Sequence, residues 1–201
     1  MPDWSRRDAL RAVATTGTLL AAGCSTSDTG PIDAPPPRRR VTDFESVLAR
    51  NARGNPLVVP APVDGDEAGE RRQDHSLMEH LTATADVEEF RFRADAGAAD
   101  LASFVNATDF ASQSVYLLQR SIGECYRTRL VGVYREGDGV DAEFCRDLRP
   151  ADVDCDTDTE DTVAVAIRLP FAGDDFNSIG SGWSGDCEHV ATVELERGES
   201  A

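Results

Sequence analysis

The chain predicts a mainly β fold with minor α: an antiparallel sandwich or small barrel with one or two short helices packed on it, best defined over 98–201. Three observations carry this. Between Ser114 and Leu169 four segments rich in Val, Ile, Leu, Tyr and Phe follow one another at short spacing, with stretches of period-two alternation. Glu136-Gly137-Asp138-Gly139, between the second and third segments, is a hairpin signal, because glycine tolerates the positive φ that tight hairpin turns require. The length, 201 residues, suffices for one buried core, and a single domain over 41–201 is expected.

From the N-terminal side of that domain, Phe44, Val47 and Leu48 fall at helical spacing behind Thr42 and Asp43 as caps, so Val41 to about Arg53 predicts a short helix. Asn55 to Asp74 contains three prolines and, apart from Leu57-Val58-Val59, is polar and acidic; it reads as a loop. Ser76 to Leu81 predicts one helical turn. In Glu88 to Arg93, Phe90 and Phe92 share one face, and Ala98 to Val105 reads as a helix carrying Leu101, Phe104 and Val105. The strands follow: Ser114 to Ile122, Tyr126 to Arg135, Val140 to Cys145 and Thr162 to Leu169. In the last, Val163, Val165 and Ile167 oppose Ala164, Ala166 and Arg168. A final strand is expected from His189 to Leu195.

All 20 basic residues are arginine, against 37 acidic residues, for a net charge of −17. Self-repulsion of that size destabilises a folded domain in dilute buffer, and at molar salt, where the Debye length is about 3 Å, it largely vanishes. Abundant acid without lysine resembles proteins of halophilic archaea. The same charge repels phosphate backbones, so nucleic acid is not an expected partner.

The first 24 residues carry an address. Ser5-Arg6-Arg7-Asp8-Ala9-Leu10 precedes an uncharged stretch from Ala12 to Gly23, then Cys24. That stretch is well short of the roughly 20 residues needed to span a bilayer as a helix, and its cationic, apolar, small-residue order is a targeting layout. It resembles a twin-arginine export signal over 1–23 ending in a lipoprotein box. The resemblance implies export through Arg6 and Arg7, lipid attachment at Cys24, and a cell-membrane anchor facing the extracellular side. Residues 24–40, with Pro35-Pro36-Pro37 and Arg38-Arg39-Arg40, then read as a tether.

Four further cysteines, Cys125, Cys145, Cys155 and Cys187, are an even number in an exported domain and favour two disulfides. Three pairings are open. The preferred one joins Cys145 to Cys155 across a short loop and Cys125 to Cys187. No CxxC spacing favours zinc.

Several near-motifs stop short of chemistry. His75 and Glu79-His80 form HxxxEH, one residue longer than the inverted zinc-peptidase pattern. Gly182-Trp183-Ser184-Gly185 has Asp186 where a nucleophile elbow needs glycine. Asp152, Asp154, Asp156, Asp158 and Glu160 offer hard oxygen ligands, but in a line and without an EF-hand's glycine and distal glutamate. No catalytic residue, metal ligand or cofactor is therefore assigned. Trp183, in a Gly-rich stretch, is a candidate contact residue. Asn106-Ala107-Thr108 is a glycosylation sequon.

From Ala102 to Leu169 the order of helix, Asp109-Phe110 step, strand, long strand, hairpin, acidic connection and a strand ending Leu169-Pro170 resembles the small β domain of protease-complex-associated proteins and of haloarchaeal lipoproteins. The resemblance implies a non-enzymatic interaction or accessory role. The leading expectation is thus a membrane-anchored, disulfide-stabilised β domain for protein interaction or envelope function. The alternatives are a solute- or calcium-binding lipoprotein and, third, a hydrolase built around His75, His80 or His189.

Overall fold

In the computed structural model the described residues are 38–61, 76–173, 177–188, 190–193 and 195–197. The export signal with Arg6 and Arg7, Cys24, the tether before Arg38, His75 and His189 lie outside them.

The order is β1 (Arg39–Val41), β2 (Glu45–Asn51), β3 (Val58–Pro60), β4 (Leu77–Leu81), α1 (Thr84–Glu88), β5 (Phe90–Phe92), a 3-10 turn (Ala94–Ala96), α2 (Ala99–Asn106), β6 (Ser114–Gly123), β7 (Tyr126–Glu136), β8 (Gly139–Leu148), β9 (Glu160–Leu169), β10 (Ser178–Ser184) and β11 (Glu196–Arg197). One sheet runs β1-β7-β8-β10, a second β11-β2-β9-β6-β4, and β3 pairs with β5 apart from both. The fold is an open α+β sandwich, and the barrel alternative is not formed. Most pairs are antiparallel, but β10 runs parallel to β8 and β11 parallel to β2. β10 lies parallel to β8 because the chain leaves β8, crosses to the second sheet as β9, and returns to the first as β10.

The second sheet is the middle layer of three. On one side Val47, Ala49, Val115, Leu117, Ala164 and Ala166 pack against Leu101 and Val105 of α2, Val87 of α1 and Leu57-Val58. On the other, Tyr116, Leu118, Val165, Ile167 and Leu169 meet Leu130, Val133, Val140, Ala142 and Phe144 of the first sheet. A strand buried on both faces loses its apolar-polar alternation. In β9 the alternation that remains is one of size: Ala164 and Ala166 admit the helix, while Val165 and Ile167 fill the space between sheets. Arg168 closes the end of α2, donating to Phe104 O at 2.7 Å and to Thr108 Oγ1 at 3.2 Å, where a cation complements the helix C-terminus.

Two-sided burial also explains the first correction. The predicted helix over 41–53 is β1 and β2; Val47 and Leu48 are adjacent because they serve opposite cores, which imitates helical spacing. Ser76 to Leu81 is not a helical turn but contains edge strand β4. The expected loop after Asn55 includes β3, joined to the middle sheet by the fully buried Gln119. Its Oε1 accepts from Leu57 N and Val58 N, both at 2.8 Å, and its Nε2 donates to Val58 O at 3.0 Å. The Gly-rich stretch expected as loop is largely β10. The expected strand from His189 to Leu195 reduces, among the described residues, to one bridge between Val193 and Leu130, with β11 following. The tether boundary also moves: Arg39 and Arg40 belong to β1, and Arg38 pairs with Glu143 at 2.7 Å and lies over the Tyr134 ring.

The central strands, α2 and the hairpin agree with expectation. Gly137 turns β7 into β8 at φ +60°.

Candidate functional site

Both disulfides sit at the end of the sandwich opposite that hairpin, and their pairing corrects the expected one. Cys125 joins Cys155, and Cys145 joins Cys187. The first ties the β6–β7 turn to the β8–β9 connection; the second ties β8 to the segment after β10. The preference for Cys145 with Cys155 assumed that β8 and β9 are neighbours in one sheet, and they are not.

The space between the sheets is polar at this end. Arg50 of β2 donates from Nε to the wholly buried Asp161 at 2.5 Å, and to Tyr126 O and Glu124 O, both at 2.8 Å. One guanidinium thus joins β2, β9 and the turn beside Cys125. Among the described residues, Asp161 Oδ1 and Thr128 Oγ1 are buried with no hydrogen-bond partner.

Beside this hub, β4 and β10 are the terminal strands of their sheets on one side of the sandwich, and a cleft of about 620 Å³ opens between them. Leu118, Arg120 and Ser121 of β6 line it, with Ser76, Met78, Glu160, Ser181 and Trp183. On β6, Tyr116, Leu118 and Arg120 share the face toward the first sheet. Tyr116 binds β10 by donating to Gly180 O at 3.0 Å; burial, helped by Asp141 and opposed by a hydrogen bond with Ser181, pushes its phenol up. Trp183 stacks on Phe144 with centroids 4.8 Å apart. Arg120 lies over the indole at 3.9 Å. Burial first, and then neighbouring Arg146, hold the Arg120 guanidinium pKa below its usual value.

Side chains of β8 crowd the glycines of β10. A Cβ at Gly180 would stand 2.1 Å from Asp141 Oδ1, and one at Gly182 would stand 3.3 Å from Glu143 Cγ. These glycines hid the strand in the sequence. The signal was the alternation of Ile179, Ser181 and Trp183 between them.

The remaining candidates are scattered. Glu79 and His80 are consecutive on β4 and so face opposite ways. Burial, then Glu89, raises the Glu79 pKa; burial lowers that of His80 against the opposing charge of Asp86. Ser184 is exposed at the end of β10. Asp152, Asp154, Asp156 and Asp158 lie exposed in the connection held by Cys155, and Glu160 begins β9; among the described residues no three His, Cys, Asp or Glu side chains converge as a metal site would require. Asn106 is exposed, its amide donating to Ala102 O at 2.8 Å, while Thr108 is buried under Arg168. Of the residues singled out in the sequence, Trp183 and Glu160 join the cleft. Arg120 was missed, although a single arginine on the same parity as Tyr116 and Leu118 in an apolar strand was the available sign.

No protein-family model matches the chain, and no curated protein and no solved structure matches it.

Proposed function

We propose that this chain is a membrane-tethered, extracytoplasmic binding domain of the halophilic type, which captures a protein partner at the cleft between β4 and β10 and is not itself an enzyme. The observation that carries the reading is the cleft, bordered by two terminal strands and holding a stacked Trp183 and Arg120. Terminal strands offer backbone groups to an added strand, and aromatic and arginine side chains dominate protein recognition. The residue layout around Arg6, Arg7 and Cys24 supports export and lipid anchoring. Two disulfides are compatible with an extracellular, disulfide-stabilised domain. The sequence likeness to accessory β domains of protease complexes favours the same role.

A photo-crosslinking amino acid at Ser181 tests the binding part in intact cells, with Ser112, exposed after α2, as control position. A discrete adduct from position 181 and none from 112 is expected; no adduct, or the same adducts from both, would contradict it. Fractionation tests the anchor. Cys24→Ala should move the protein from membrane to medium.

A further inference from the structure

Half-buried arginines in this fold find oxygen. Arg50 has Asp161 and two carbonyls, Arg168 has Glu45, Thr108 and Phe104 O, and Arg127 and Arg129 share Asp147. Arg149 has only Glu124 O, at 3.3 Å, and Arg120 has less. Its one hydrogen bond is long, from Nε to the Ser121 carbonyl at 3.4 Å, and among the described residues Nη1 and Nη2 have none. The charge of Arg146 adds to burial in lowering the Arg120 pKa, and Arg146, which lies over the Tyr126 ring at 5.1 Å, likewise has no ion pair among the described residues. A partly desolvated cation beside a like charge is a cost that a bound anion removes.

The stack makes the group a receptor. Held against Trp183, which is itself held against Phe144, the guanidinium is fixed in orientation and keeps its Nη edge for a planar oxyanion, the geometry that bidentate recognition requires. The cleft specifies more. Met78, 40% exposed, and Leu118 give an apolar wall, three serines give hydroxyls, and Glu160 places a negative charge in the same opening. Glu160 and the overall charge disfavour a doubly charged phosphate or sulfate; one negative charge on an apolar body fits. About 620 Å³ accommodates one or a few residues, and β4 and β10 beside it suit an extended backbone.

We propose that Arg120 receives the C-terminal carboxylate of a partner chain, whose apolar last side chain lies against Met78 and Leu118. This rests on the reading of the cleft as the binding surface.

The test is calorimetric titration of the full chain, in molar KCl, with acetyl-Gly-Gly-Leu bearing a free carboxylate, with the same peptide amidated, with acetyl-leucine and with sodium sulfate. Binding of the free acid, weakened about tenfold or more by amidation and equally by Arg120→Gln, is expected. Arg120→Lys, which keeps charge without the planar fork, should fall between. The Trp183 indole N–H resonance and an unchanged melting transition report that each variant is folded. Equal binding of acid and amide, no binding of either, or binding by Arg120→Gln at full strength overturns the proposal. Acetyl-leucine as tight as the peptide overturns the chain terminus in favour of a small acid, and sulfate as tight overturns the single charge. A Ser181 adduct that persists in Arg120→Gln cells overturns the carboxylate receptor while leaving the binding domain standing; loss of the adduct supports it.

Discussion

At the end of the sandwich that carries the β7–β8 hairpin, the space between the sheets holds Val133, Val140, Ala142, Ile167 and Leu169; at the end that carries both disulfides it holds Arg50, Asp161, Thr128 and Arg120. The same two sheets thus enclose an oil-like layer at one end and a charged one at the other. The apolar end is stabilised by burial, at about 25 cal/mol per Å². The charged end gains little from burial, because desolvating ions opposes their attraction. There the bracing is covalent and local: Cys125–Cys155, Cys145–Cys187 and the three-way contact of Arg50. An end held this way can keep an open cleft without the sheets closing over it.

The largest expected effect is at Arg50. Arg50→Met leaves Asp161 buried without its cation, an expected loss of about 3–5 kcal/mol, measured by denaturant unfolding in molar KCl. Cys145→Ser with Cys187→Ser should cost about 2–4 kcal/mol, since the bridge closes a span of 42 residues in the unfolded chain. Reduction of the wild type should cost at least as much, and non-reduced peptide mapping should return the pairs 125–155 and 145–187. At the apolar end Ile167→Val removes one methylene from a packed layer and should cost about 1 kcal/mol. A larger loss there than at Arg50 would reverse the assignment of the two ends.

The smallest expected effect is in acid. Hydrogen bonding to Arg127, together with the charges of Arg127 and Arg129, holds the Asp147 carboxyl below its usual range despite slight burial. A depressed carboxylate contributes stability that is fully present above the unfolded value, about 3.9, and is lost as pH falls from there through the folded value. Asp147→Asn should therefore lower the neutral plateau slightly and flatten the acid limb by the same amount, with variant and wild type converging below the folded value. His80 works in a higher window. Its lowered pKa, set by burial against the charge of Asp86, means that the unfolded chain takes up the proton first, so stability declines as pH drops below about 6.5.

What the sequence revealed divides along the same physical lines. β6 to β9, the hairpin and α2 were legible because their signals are local: β-branched runs, a Gly-Asp-Gly turn and one helical stripe. β2 was misread because a strand serving two cores has no polar face, so Val47 and Leu48 look helical. β10 was hidden by Gly180 and Gly182, which sit against the side chains of Asp141 and Glu143 on a strand nearly forty residues earlier. Disulfide partners depended on the crossover from one sheet to the other, which no spacing encodes. Trp183 was visible as a residue type. Arg120 was not, since its distinction is its stack on Trp183 and, among the described residues, the lack of a carboxylate, both of which arise only in the folded chain.

The most direct test of the account is an amide and indole NMR titration of the full chain with acetyl-Gly-Gly-Leu. Shifts confined to Ser76–Met78, Leu118–Ser121 and Ser181–Trp183 are expected, with the apolar layer around Val140 and Ile167 silent. Shifts centred on the hairpin end, or none anywhere, would contradict it.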